Sequence, residues 1–155
     1  MIVEGTFTFQ GPRETVWELL QNPDVLVKVL PGAKRLVRAG EDRFDGVMQV
    51  GVGPVTAAEF TVSVMLKDKV PPQYYAMEVD SKGTLGFTRG SARVALEVLA
   101  DGGTLMKYTA ELQVGGKIAG VGQRLLDQVA KLMTRQGLEA LNKELRARLA
   151  GGSSR

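Results

Sequence analysis

The chain has 155 residues, 44% of them hydrophobic and 24% charged, the ordinary balance of a folded globular domain. It carries a formal net charge of +3 and contains neither histidine nor cysteine. That excludes disulfides, thiolate metal sites, histidine-based triads and the usual zinc sites, and leaves any catalysis to carboxylates, lysine, tyrosine or backbone groups. No apolar run reaches the length of a bilayer span, and residues 1–5 lack the basic start and apolar stretch of a signal peptide. A cytoplasmic protein is expected.

Residues 3–9 alternate apolar and polar with period two, as a half-buried strand does. Gly11 and Pro12 end it, and residues 14–20 form a short amphipathic helix. Asn22, Pro23 and Asp24 break the chain and open a second short helix over 25–30, which Pro31 and Gly32 end. From residue 33 to 114 the signals are strands and turns: 33–38, 43–50, 56–67, 73–81, 87–99 and 104–114. Short turns between consecutive strands predict an antiparallel meander. Gly115 and Gly116 end the sheet, and apolar residues then recur at helical spacing from Ile118 to about Leu149. The register of that stripe slips at Gly137, which predicts a bend. Residues 1–150 read as a single domain and 151–155 as a flexible tail.

The predicted fold is therefore α+β. A curved seven-stranded antiparallel sheet wraps a long C-terminal helix, with two short helices after the first strand, the helix-grip plan. Charge is divided along it: residues 1–116 hold 12 Lys and Arg against 14 Asp and Glu, and residues 117–155 hold 8 against 3. The long helix is thus the basic element, either a solvated face or one suited to an anionic surface.

Alternation assigns the inner faces. Phe44, Gly46, Met48 and Val50 face inward, as do Phe60, Val62, Val64 and Leu66 on the next strand. Tyr75, Met77 and Val79 follow, then Val94, Leu96 and Val98, and last Met106, Tyr108, Ala110, Leu112 and Val114. Every acidic side chain of these strands falls on the outer face, and the tyrosine hydroxyls of Tyr75 and Tyr108 are the polar groups expected inside. Such a surface suits an apolar ligand fixed by one or two hydrogen bonds, and equally a fully packed core. Three of the six methionines, Met48, Met77 and Met106, face inward, where their flexibility fills irregular space.

Other motifs fail on spacing. Gly51-Val52-Gly53 precedes a strand, not a helix, so it lacks phosphate-cradling geometry. Gly116-Lys117 is followed by Ile118 where a phosphate loop needs Ser or Thr. Glu41, Asp42 and Asp45 surround a hairpin turn without calcium-loop spacing. Basic residues are not interleaved with exposed aromatics, so no nucleic-acid partner is expected.

Over nearly its whole length the sequence resembles the family of the carbon monoxide dehydrogenase G protein, an accessory subunit, within the START and polyketide-cyclase-like helix-grip superfamily. The segments that carry the resemblance are residues 22–26 (NPDVL) with 30–33 (LPGA), 51–57 (GVGPVTA), 71–75 (PPQYY), 86–90 (GFTRG) and 115–122 (GGKIAGVG). The chain departs from the family late in the long helix, where residues 133–138 stand in place of the aromatic residues common there. The resemblance implies a non-catalytic accessory protein associated with molybdenum-containing CO dehydrogenases and related hydroxylases, and with their attachment to the inner face of the cytoplasmic membrane. It favours a cavity over a packed core, holding a lipid or a respiratory quinone such as menaquinone or ubiquinone, with no covalent cofactor and no metal. The expected ligand-binding residues are Leu30, Met48, Phe60, Val62, Tyr75, Met77, Phe87, Met106, Tyr108, Leu125, Val129 and Met133. The glycine-containing link over 83–86 is the expected mouth, with Leu85 and Phe87 exposed to lipid. Two alternatives stand beside this: a cyclase or hydratase using Tyr75 or Tyr108 with a trapped water, and a pure adaptor with a filled core.

Overall fold

A computed structural model describes residues 1–52 and 55–151, the side chains of 55–57 excepted. The predicted tail beyond Gly151, and the Gly53-Pro54 part of the predicted turn, lie outside the described residues. Strand β1 (Ile2–Phe9) is followed by helices α1 (Arg13–Leu20) and α2 (Pro23–Val29). Strands β2 (Ala33–Gly40), β3 (Arg43–Val52), β4 (Val55–Val70), β5 (Tyr74–Gly83), β6 (Gly86–Val98) and β7 (Thr104–Gly115) come next. A 3₁₀ turn (Lys117–Val121) leads into helix α3 (Gln123–Ala150). The strands form one antiparallel sheet in the order β1-β7-β6-β5-β4-β3-β2. The meander thus runs from β2 to β7, and β1 closes onto β7 with Ile2 opposite Glu111 and Phe9 opposite Thr104.

The helices form where their ends are satisfied. The Pro12 carbonyl accepts from the amides of Thr15 and Val16, and Val16, Leu19 and Leu20 are buried at the i, i+3, i+4 spacing that one helix face requires. In α2 the Asn22 side chain caps the Asp24 amide and Pro23 takes the first turn, where its missing N–H costs nothing. Thr104, fully buried, donates its hydroxyl to the Gly11 carbonyl at 2.8 Å and so ties the start of β7 to the β1–α1 corner.

Two expectations change. The long helix does not start at Ile118: Gly122, at φ +101, separates the 3₁₀ turn from α3, a conformation L side chains rarely adopt. Gly137 lies within the continuous span of α3, buried where the helix passes the end of α2, with Leu30 and Pro31 against it. The 83–86 link is a two-residue hairpin turn in which Gly83 pairs with Gly86, and the Leu85 carbonyl accepts from the Ile118 amide.

Candidate ligand-binding site

Under α3 the core divides in two. At one end Phe9, Val16, Leu19, Val25, Phe44, Leu66, Tyr75, Val94, Leu96 and Met106 pack around Leu141 and Leu145 of α3, and Phe9 and Leu145 are wholly buried. At the other end, among the described residues, Val52, Ala58, Phe60 and Ile118 are buried, and Val50, Val62, Val114, Leu125, Leu126 and Val129 surround them half-covered. The closest backbone approaches of α3 to the sheet are at β1 and β3, so the helix spans the concave face rather than resting on its middle strands.

Between the two clusters, Met48, Val79, Leu112 and Met133 belong to neither, and each is half-buried. The register places Met48, Val79 and Leu112 on the face that buries Phe60, Leu66 and Met106. Apolar side chains on the inner face of a sheet, beneath a helix, bury completely when their neighbours fill the space. Here they do not. Met77, Tyr108, Leu125, Val129, Val62 and Leu30 are likewise half-buried, while Phe60, Tyr75 and Met106 are buried within the clusters.

The inner surface offers few polar groups. Tyr75 stands edge-on to Trp17 at 5.4 Å between ring centroids, and burial alone raises its pKa far above the ordinary value, so the phenol stays protonated. The Tyr108 ring lies across Gly5 of the neighbouring strand, where any side chain would meet its hydroxyl. Ser81 and Thr88 also face inward, opposite Val62 and Val114, and bond to each other. The alternation extended from Val79 and back from Val94 reaches both, and they add polar groups to the two tyrosines expected. Asp45, Glu59, Glu78, Asp80, Glu97 and Glu111 lie on the outer face as expected, with Asp45, Glu78, Asp80 and Glu97 in ion pairs there. Among the described residues no group of acidic side chains could hold a metal ion.

Phe87 corrects the expected lining. It pairs with Lys82 and Gly115 on the outer face, 42% exposed, with its ring over Gly115. Thr88, one residue on, takes the inner position. The exposure of Phe87 is as expected, whereas Leu85, expected exposed, is half-buried against the looser cluster. Val98, expected inside, is 60% exposed where the strand passes the end of the sheet.

On α3, Arg124, Lys131 and Arg135 recur at a spacing that puts them on one exposed face, with Leu132 exposed beside them. They have no ion-pair partner among the described residues; the pairs on α3 are those of Glu144 with Arg148 and Lys28. No helix among the described residues is long and apolar enough to cross a membrane.

The model of the CoxG family, named for the G subunit of carbon monoxide dehydrogenase, matches residues 5–146. A crystal structure of a conserved protein from Geobacillus kaustophilus is 31% identical, with 95% of this chain and 96% of that one covered and a TM-score of 0.89. The Zhui aromatase/cyclase from a Streptomyces species is similar in fold at 18% identity, with 98% of each chain covered and a TM-score of 0.72. So is a START superfamily protein from Mycobacterium smegmatis, at 11% identity, 94% and 97% coverage and a TM-score of 0.71. No curated protein matches the chain in sequence.

Proposed function

Because the chain belongs to the CoxG family of carbon monoxide dehydrogenase subunits, we propose that it is a non-catalytic accessory protein that holds an apolar ligand, a lipid or respiratory quinone, between its sheet and α3. The observation that carries this reading is the set of inward apolar side chains left half-covered between two core clusters. Exposed hydrocarbon on a concave inner face is stabilised when a ligand covers it, at about 25 cal/mol per Å² removed from water. Met48, Met77 and Met133 line that space with side chains that adapt to an irregular guest. The Tyr75 phenol, kept protonated by its surroundings, is a hydrogen-bond donor and not a base. With no carboxylate on the inner face and no histidine in the chain, this supports binding over the cyclase-type alternative.

The partner of such a carrier is a molybdenum-containing CO-dehydrogenase-type oxidoreductase at the membrane. The unpaired cations of α3, with Leu132 among them, supply attraction to anionic headgroups of about 1 kcal/mol per basic residue near the surface. Native mass spectrometry of the purified protein is expected to show a bound lipid or quinone. Added menaquinone at a hundredfold excess over its Kd is expected to raise the melting temperature by about 5–10 °C. A protein that carries nothing and whose melting temperature is unmoved by menaquinone is not a carrier.

A further inference from the structure

On an inner face that is otherwise hydrocarbon, Ser81 and Thr88 stand directly opposite each other on β5 and β6, bonded through their hydroxyls. Hydroxyl pairs of this kind are ordinary across the wet face of a sheet. Here the row they belong to runs Val62, Ser81, Thr88, Val114, and both valines pack against the looser core cluster. Towards the fully packed cluster the next inner positions are Val79 and Gly90, with Leu112 leaning across Gly90. Met77, Ala92 and Ala110 follow. In the other direction Gly83 and Gly86 end the row, with Phe60 and Ile118 against them. Every inner neighbour of the pair is therefore apolar, and both residues are half-buried.

Two hydroxyls hold two protons. One lies between Ser81 and Thr88; the other has no acceptor among the described residues. A hydroxyl taken out of water without a partner is costly, so a guest that covers this donor must bring an acceptor to it. The remaining lone pairs on the two oxygens accept as well, and each hydroxyl rotates to suit its partner. The pair thus donates to a carbonyl oxygen or accepts from a hydroxyl, whichever the guest presents. Along β6 the floor beyond Thr88 is Gly90 and Ala92, about 13 Å of strand with nothing larger than a methyl group on it. A flat ring anchored at the pair rests there against Leu112.

Resting on the carrier reading, we propose that Ser81 and Thr88 are the polar anchor of the guest. They hold the oxygen of a ring carbonyl, and equally the hydroxyl that replaces it when the ring is reduced. A lysine only donates and a carboxylate only accepts, so either would favour one of the two forms; a hydroxyl pair favours neither. The guest is held with similar affinity before and after it gains two electrons and two protons at the partner oxidoreductase, and the anchor takes no part in that transfer.

Menadione, anaerobically reduced menadiol and 2-methylnaphthalene share one ring skeleton and differ in its oxygens, and calorimetric titration of the three tests the anchor. Ser81→Ala combined with Thr88→Val removes both hydroxyls at nearly constant volume. It is expected to weaken menadione and menadiol about fivefold each, the worth of about one hydrogen bond, and to leave 2-methylnaphthalene within about twofold. Thr88→Ser, which keeps the hydroxyl, is expected to retain the binding of all three. If the double variant fails to fold, Thr88→Val alone is read in the same way. Equal weakening of all three compounds, or undiminished menadione binding, overturns the anchor. Weakening of only one of the two oxygenated forms overturns its indifference to redox state. If menaquinone binds the wild type and none of the three probes does, the ring is not what the pair holds and the anchor is overturned. If menaquinone also fails to bind, it is the carrier reading that falls.

Discussion

The two ends of the core are built from the same kinds of residue yet are packed to different degrees. At the end closed by α1, α2 and the last turns of α3, Phe9, Leu19, Val16, Val25 and Leu145 are all at or below 1% exposure. At the end beside the 3₁₀ turn and the start of α3, the side chains that α3 contributes, Leu125, Leu126 and Val129, remain half-covered. The closed end has three helices over the sheet; the other has one helix and one turn of 3₁₀. Covering elements, not composition, decide how completely each end is buried.

This division predicts unequal costs for equal deletions. Leu145→Ala is expected to lower the unfolding free energy by about 2–5 kcal/mol, since a wholly buried leucine leaves a cavity its neighbours cannot close. Val129→Ala at the open end is expected to cost about 1 kcal/mol or less. Denaturant unfolding of the two variants measures the contrast, and similar costs would break it.

Gly137 lies between the ends, and its sign is opposite. A Cβ there would meet Pro31, Leu30 and the Val29 carbonyl at 3.6–3.9 Å, ordinary van der Waals contact. Gly137→Ala is therefore expected to stabilise by about 0.5–1 kcal/mol through helix propensity, again by denaturant unfolding. A loss instead would show that α2 and α3 are closer than one methyl group allows.

The smallest effect appears only in alkali. The ordinary tyrosine value is 10.0, and burial in the closed end raises that of Tyr75. Above pH 10 the unfolded chain loses this proton while the folded chain keeps it, so stability falls as pH rises. Tyr75→Phe is expected to remove that part of the alkaline decline. If pH profiles from 8 to 11 coincide for the variant and the wild type, Tyr75 is not sealed as the closed end requires.

Much of this is legible in the sequence because alternation and helical spacing are local. Phe60, Val62 and Leu66 sit on one face and Glu59 and Lys67 on the other for reasons contained in seven residues. Phe87 obeys the same rule against its aromatic character, since stepping back by twos from Val94 arrives at Thr88 and leaves Phe87 outside. The glycines before α3 signal a break, and Gly122 supplies it with its positive φ. What local pattern does not reveal is that inward side chains are buried at one end and half-covered at the other. That depends on which helices, distant in the chain, come to lie above them.

The edge-to-face contact of Trp17 with Tyr75 has an optical consequence. Trp17 is the sole tryptophan, and it sits against the tightly packed end. Its emission will register global unfolding faithfully and yet report little of changes confined to the looser cluster. A flat intrinsic-fluorescence titration would then describe the placement of the chromophore, and a reporter introduced into the looser cluster would be needed to follow events there.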